Sequence, residues 1–333
     1  MPTSTESDAS LVELSIVVPA FNEAENLPKL YSELVPVLDA VSSRWEIVVA
    51  DDGSGDDTWA QVGSLNQRDR RVRGVRLSRN FGHQYALYAG LVSSRGSAVI
   101  SMDADLQHPP PVIETLVTEW RKGSRVVHTI RQDPLDLPAF KRLSSRLFYR
   151  VYSYLSGVPL ERGMADFRLL DRQVVESVLQ FREQGLFLRG LVQWVGYPSS
   201  KVEYRSHARY SGASKYTTRK MLRLAWSGIT SFSVVPLRLG IVLGFATSLL
   251  AFAELVYAVV AKLVLGVAVP GWASAVGVVS LLFGVLFILL GIVGEYIGRI
   301  MIEVQQRPRF LISETVGLSA VGPTFAAPTD RRP

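Results

Sequence analysis

Ala98-Val99-Ile100-Ser101-Met102-Asp103-Ala104-Asp105-Leu106-Gln107 is the stretch on which the reading of this chain turns: a run of strand character that leads straight into alternating carboxylates. Two earlier runs have the same construction. Leu14-Ser15-Ile16-Val17-Val18 leads into Pro19-Ala20-Phe21-Asn22-Glu23, and Glu46-Ile47-Val48-Val49-Ala50 leads into Asp51-Asp52-Gly53-Ser54. Residues 72–77 and 125–130 read as further strands, and residues 26–41, 57–66, 83–93 and 112–122 between them read as helices. Strands alternating with helices predict an α/β domain on a parallel sheet. In such a sheet the ligand lies off the carboxyl ends of the strands, so the residues just after each strand are where chemistry is expected.

Three of those strand ends are acidic. Each has an ordinary structural reading too, since Asp-Gly is turn chemistry and Asn22 or Asp56 can cap the following helix. Four carboxylates without a basic neighbour in sequence nevertheless call for a compensating cation or ligand. In an extended segment Asp103, Asp105 and Gln107 point the same way. They form a hard-oxygen set suited to Mg²⁺ or Mn²⁺, which keeps positions open for phosphate oxygens and neutralises charge on a departing diphosphate. No Gly-x-x-x-x-Gly-Lys-Ser/Thr loop is present, which argues against an NTPase, and no Gly-x-Gly-x-x-Gly follows the first strand, which argues against a dinucleotide enzyme. The chain has no cysteine, so disulfides, thiolate metal sites and a cysteine nucleophile are excluded.

The formal charge of +6 raises a nucleic-acid reading, but its location removes it. Residues 201–238 carry 8 Lys/Arg against 1 Asp/Glu, whereas residues 1–200 carry 22 against 24. From 239 to 298 the only charged residues are Glu254, Lys262 and Glu295. Two membrane spans are predicted there, 239–263 and 273–297, each with the roughly 20 apolar residues that a crossing needs. Val269-Pro270-Gly271-Trp272 breaks the run. The mean hydropathy of +0.19 follows from these spans. Arg219, Lys220, Arg223 and Arg238 precede the first span, and Arg299, Arg307 and Arg309 follow the second, so both flanks are expected in the cytoplasm. Residues 1–10 are polar and lack a signal-peptide core, and are expected to be disordered. A domain over 11–213 is then followed by an amphipathic stretch at 214–236. There Met221, Leu224, Ala225, Gly228 and Phe232 recur at helical spacing, with Arg219, Lys220 and Arg223 on other faces. Such a helix lies along a membrane surface or packs on the catalytic domain. Residues 298–333 are expected to form a cytoplasmic tail, disordered from about Ser313.

Val18-Pro19-Ala20-Phe21-Asn22-Glu23, Asp51-Asp52-Gly53-Ser54, Asn80-Phe81-Gly82 and Asp103-Ala104-Asp105-Leu106-Gln107-His108-Pro109-Pro110, in this order, closely resemble family 2 glycosyltransferases of the GT-A (Rossmann-like) fold. Ala165-Asp166-Phe167-Arg168-Leu169-Leu170-Asp171-Arg172, Arg209-Tyr210-Ser211-Gly212-Ala213-Ser214-Lys215-Tyr216 and Gly294-Glu295-Tyr296-Ile297-Gly298-Arg299 are similar to the polyprenol-phosphate group, in particular the bactoprenol glucosyltransferases with two C-terminal spans. The resemblance covers residues 14–312. It implies that Pro19, Phe21, Glu23, Ala50 and Asp52 hold the nucleoside, and that Asp103, Ala104, Asp105 and Gln107 serve ribose, metal and diphosphate. It further implies that Arg131, Lys141, Arg142 and Ser145 receive the acceptor phosphate, that Arg209 and Lys215 close over both phosphates, and that Asp166 is the candidate base.

By this resemblance the chain is an inverting, Mg²⁺- or Mn²⁺-dependent transferase at the inner membrane, moving glucose from UDP-glucose onto polyprenyl (undecaprenyl) phosphate. A flippase, a downstream glycosyltransferase and a homotetramer are the implied partners. A polyprenyl phosphate has a second pKa near ~6 and is largely a dianion at neutral pH, so its oxygen can attack without giving up a proton. Asp166 is therefore expected to orient the acceptor or sugar more than to remove a proton. Three rivals remain: another donor, such as GDP-mannose or an aminoarabinose donor; a processive synthase, which would need more spans and a Gln-x-x-Arg-Trp motif that Gln193-Trp194 does not supply; and an inactive membrane-anchored binding protein.

Overall fold

The computed structural model describes residues 12–132, 163–205, 235–264 and 271–318. The elements in these residues are β1 (Leu14–Ala20), α1 (Asn26–Val41), β2 (Trp45–Asp51), α2 (Thr58–Arg68), β3 (Val72–Leu77), α3 (His83–Ser93), β4 (Ala98–Ser101), α4 (Val112–Arg121) and β5 (Val126–Arg131). They continue with β6 (Met164–Asp171), α5 (Arg172–Gln180), α6 (Leu188–Trp194), β7 (Ser199–Tyr204), α7 (Val235–Val264), α8 (Trp272–Gln305) and β8 (Ile312–Val316). The chain divides into two units. One comprises 1–149, 159–215 and 308–333; the other comprises 150–158 and 216–307.

The first unit is built on one sheet in the order β7-β5-β6-β4-β1-β2-β3-β8. Its centre is parallel, as the alternation of strands and helices requires: β1 pairs with β2 and β4, and β2 with β3. The expectation of an all-parallel sheet is corrected at two places. β6 runs antiparallel to both β4 and β5, and β8 runs antiparallel to β3. The physical reason is connectivity, because a strand that re-enters the sheet after a long excursion is not bound to the right-handed crossover that forces parallel pairing.

Strands buried on both faces need cover on both. Leu27, Leu30, Leu34 and Leu38 make one stripe of α1 and pack with Ile16, Val18, Ile47 and Val49. Val62 of α2 and Ile113, Leu116 and Val117 of α4 join the same cluster. Val17 and Ala50 point the other way and meet α3 at Gly90, where any Cβ would run into the Val17 side chain. That contact explains a glycine inside a helix, which otherwise costs about 1 kcal/mol relative to alanine.

β8 also corrects the expected disordered tail, since Ile312–Val316 is a paired edge strand. Glu314 on β8 accepts hydrogen bonds from Trp59 Nε1 at 2.9 Å and Arg76 Nη1 at 2.8 Å. Arg309 donates to the Phe181 carbonyl and lies over the Tyr88 ring at 4.8 Å. The segment that follows the helical pair is thereby part of the first unit.

In the second unit, α7 and α8 hold 30 and 34 residues, or ~45 and ~51 Å at 1.5 Å per residue. Within them Gly240–Tyr257 and Gly277–Gln305 are long and apolar enough to cross a membrane. Their apolar side chains are exposed, Phe245 at 72% and Leu263 at 78%, unlike those of a soluble protein's core helices. Gly240 and Gly244 face Leu289, a close approach that small residues one turn apart permit. The amphipathic stretch at 214–236, apart from its last two residues, and residues 1–10 lie outside the described residues.

His128 on β5 is 3% exposed, and its Nδ1 has no hydrogen-bond partner among the described residues. Burial, reinforced by Arg168 and Lys201, lowers its pKa from 6.5 to about 4. The folded state therefore stays unprotonated over a range where the unfolded chain takes up a proton, and stability falls as pH drops from about 6.5 to about 4, by up to about 3 kcal/mol. Thermal melting of the full-length protein in detergent across that range should show this loss, and His128→Leu should flatten it. An unchanged pH slope in the variant would contradict the assignment.

Candidate active site

At the carboxyl end of β1 the chain turns at Asn22, whose φ of 57° is left-handed and suits a short amide side chain. The turn is pinned from β2. Ser54 Oγ accepts the Asn22 N–H at 2.9 Å, and Asn22 Oδ1 accepts the Gly55 N–H at 3.0 Å. Asp51 is fully buried and takes both the N–H and the hydroxyl of Ser54 on one oxygen, while Arg76 Nε lies 3.4 Å from the other. Gly53 has a φ of 68°, and a Cβ there would sit 2.5 Å from the Arg79 carbonyl carbon, so only glycine fits.

Asp52, expected at the nucleoside, spends its carboxylate on the loop before α3. Its oxygens accept the Phe81 N–H at 2.8 Å and the Gly82 N–H at 2.9 Å. Burial raises its pKa, against the pull of those two N–H groups. Pro19 and Ala50 are paired across β1 and β2 and are buried, whereas Phe21 stands 40% exposed. Glu23 holds the Asn26 amide; burial pushes its pKa up, and Asp105, Asp103 and Asp56 push it further. The acidic ends of β1 and β4 therefore converge, as the sequence led us to expect.

After β4, Asp103 and Asp105 are partly exposed, with Ala104 and Leu106 buried between them. His108 supports this turn from beneath. Burial lowers its pKa and keeps the ring neutral, so Nδ1 can accept the Asp103 N–H at 3.1 Å. The ring stacks on Phe167 at 4.8 Å and meets Tyr204 edge-on at 6.0 Å. Gln107 donates from its amide nitrogen to Asp105, and its carbonyl oxygen accepts from Arg131 Nη1 at 3.3 Å. The partly exposed carboxylates of this turn are Asp103 and Asp105, the latter with Gln107 on both of its oxygens, and among the described residues no group of three or more His, Asp or Glu gathers to hold a metal. Two carboxylates fit an ion such as Mg²⁺ or Mn²⁺ whose remaining positions go to substrate phosphates and water.

Asp166 lies on β6, 7% exposed. Arg189 on α6 engages it with two parallel bonds, Nε to Oδ1 at 2.9 Å and Nη2 to Oδ2 at 2.8 Å. Arg168, two residues along the same strand, donates to Oδ1 at 2.6 Å, and Gln84 donates to Oδ2 at 3.3 Å. Burial alone would favour the neutral acid, yet Arg189, Arg168 and His83 hold this carboxyl well below the usual range. His83 Nε2 lies 3.8 Å from Asp166 and 3.6 Å from Asp103.

Lys141, Arg142, Ser145, Arg209 and Lys215 lie outside the described residues. Sequence reasoning missed four residues of the site: His83, His108, Arg168 and Arg189. Three stand in or beside motifs that carried the resemblance, without a role attached to them. Arg189 had no sequence signal, because its partner is 23 residues away and the contact exists only in the fold.

A mixed α/β sheet with acidic strand ends on one edge agrees with the GT-A fold that the resemblance implies. Residues 15–179 match glycosyl transferase family 2. A glycosyltransferase of uncharacterized function from Synechocystis is 39% identical over 307 residues, spanning 92% of this chain and 96% of the relative. A prophage-derived bactoprenol glucosyl transferase of Shigella flexneri is 37% identical over 304 residues, spanning 91% and 98%. A prophage bactoprenol glucosyl transferase homolog of Escherichia coli is 36% identical over 301 residues, spanning 90% and 98%. The chain belongs to glycosyl transferase family 2.

Removing one partner of a buried ion pair costs about 3 to 5 kcal/mol, because the other charge stays behind uncompensated. Asp166→Ala strands Arg168, which is 2% exposed, so it should lower the melting temperature sharply. Arg189→Ala removes a side chain that is 39% exposed and leaves Arg168 on Asp166, so it should cost much less. Equal losses in the two variants, measured on the full-length protein, would contradict this picture.

Proposed function

We propose that this protein transfers glucose from UDP-glucose to a polyprenyl phosphate at the cytoplasmic face of the membrane, with inversion at the sugar. The observation that carries the reading is the pairing of two partly exposed carboxylates, Asp103 and Asp105, with an already compensated one, Asp166. The first pair is suited to a divalent cation on a nucleoside diphosphate, which would lessen the charge on the leaving group. The lipid acceptor and the glucose donor are supported by the names of the Shigella and Escherichia relatives.

In this reading a phosphate oxygen of the acceptor attacks the anomeric carbon, the bond from that carbon to the UDP oxygen breaks, and UDP leaves. The acceptor needs no base at neutral pH, being largely a dianion. Asp166 is held ionised between two guanidinium groups, and its role is to set the positions of Arg189 and the neighbouring substrate groups. Arg131, at the end of β5 and tied to Gln107, supplies positive charge on the acceptor side. Lys141, Arg142, Ser145, Arg209 and Lys215 are proposed to add to it.

Two exposed apolar helices with basic flanks favour a membrane hairpin. The pairing of β8 with β3 supports this reading, because chain from before and after the helical pair enters one sheet, as it would with both flanks on one side of a bilayer.

The test is the purified full-length protein in detergent with polyprenyl phosphate, Mg²⁺ or Mn²⁺, and labelled nucleotide sugars. Glucose should pass from UDP-glucose to the lipid, and Asp105→Asn should reduce transfer by about 100-fold or more; no transfer from any donor would overturn the proposal. Asp166→Asn should lower the rate by a factor that stays constant from about pH 6.5 to 8.5, since no proton is taken up by Asp166. Recovery of the variant at the alkaline end would instead mark Asp166 as a base.

A further inference from the structure

His83 is the group in the site that none of these roles absorbs. It is the first residue of α3, and its approach is fixed by Asp52 through the Phe81 and Gly82 N–H groups, with Gly82 at a φ of 110°. Its side chain is 45% exposed, and Nε2 stands 3.6 Å from Asp103 Oδ1 and 3.8 Å from Asp166 Oδ2. Both distances are beyond a hydrogen bond. Among the described residues the His83 ring makes no hydrogen bond, although two carboxylates lie within an ångström of doing so. An imidazole held by its backbone between two acceptors, yet bonded to neither, is placed for a third body.

The position of that body follows from the chemistry, on the glycosyl-transfer reading above. In a single displacement the departing phosphate and the attacking oxygen lie on opposite sides of the anomeric carbon. Asp103 belongs to the departing side and Asp166 to the acceptor side, so what lies between them is the sugar ring. A sugar presents neighbouring hydroxyls that both donate and accept. One N–H donor beside the Asp103 carboxylate matches that pattern better than it matches a phosphate, which has only acceptors to offer to Asp103.

We propose that His83 is a specificity-determining residue for the donor, its Nε2–H donating to a ring hydroxyl of the transferring sugar while Asp103 accepts from the same or an adjacent hydroxyl. Asp52 acts on this contact only as a positioning residue, through the Phe81-Gly82 backbone. A site that hydrogen-bonds a hydroxyl discriminates strongly between sugars that differ in that group, because a mismatched sugar leaves protein polar atoms unpaired.

The test compares wild type, His83→Ala and His83→Gln as full-length proteins in detergent with Mn²⁺. Titration calorimetry reads the affinities for UDP, UDP-glucose and UDP-galactose, and thermal melting reports on folding. Affinity of His83→Ala for UDP should stay within about twofold of wild type, while UDP-glucose binding weakens by about tenfold or more and the glucose-to-galactose preference narrows. His83→Gln, which keeps an N–H donor, should recover part of both. Equal weakening for UDP and UDP-glucose would overturn the proposal, since it would mark a phosphate contact or a folding defect, and so would no weakening of either. Binding needs no acceptor, so the two readings separate. A wild type that binds UDP-glucose but transfers nothing to polyprenyl phosphate overturns the transfer reading, while the comparison of UDP with UDP-glucose still decides the role of His83.

Discussion

Carboxylates gathered at one edge of a sheet repel one another, and the way each is compensated organises this molecule. Asp51 and Asp52 are buried and compensated by what they hold: Asp51 by hydrogen bonds from Ser54 and the nearby charge of Arg76, Asp52 by the Phe81 and Gly82 N–H groups. Asp166 is buried and satisfied by two arginines. Asp103 and Asp105, after β4, stand partly in solvent, which is the one arrangement of the three that leaves room for a cation brought by the substrate. The same residue type thus does structural and chemical work within one site, and burial with partner identity separates the two.

The compensation of Asp166 has a cost that shapes the fold around it. Arg168 is almost wholly buried, and its Nη1 lacks a partner among the described residues. A buried guanidinium is tolerated only while its carboxylate is present, so Asp166 anchors Arg168 within β6 and ties the strand to α6 through Arg189, while the backbone ladder holds β6 between β4 and β5. At the other end of the sheet, β8 brings Glu314 to Arg76, and Arg76 reaches Asp51. A strand that follows the two long apolar helices therefore belongs to the support of the β2 end.

Much of this was legible in the sequence. The bounds of α1, β3 and α3 match the pattern reading, because apolar residues at a period of two or of three to four leave little choice. The three acidic strand ends were legible for the same reason: once strands are placed, topology gathers their ends. What escaped was non-local. Met164–Asp171 was read as a motif rather than as a strand, since a buried aspartate and arginine interrupt its apolar run, and their mutual neutralisation is visible only when Arg189 is in place. Ile312–Val316 is five residues with Ser313 and Glu314 inside it, too short and polar to stand out as a strand next to two long apolar helices. That Asp52 holds the Phe81 and Gly82 N–H groups was not legible, because sequence position indicates which strand end a carboxylate occupies but not which N–H groups it meets.

The central claim is that Asp166, tied between Arg168 and Arg189, neither attacks the sugar nor takes a proton, and that an acceptor phosphate oxygen displaces UDP directly. The anomeric configuration of the lipid-linked product tests this most directly. With an α-linked nucleotide donor, nuclear magnetic resonance of the purified product should show a β-linked sugar phosphate, the result of one displacement. An α-linked product would contradict the account, because it requires a second displacement, and a carboxylate at Asp166 would then have to be the group that intervenes.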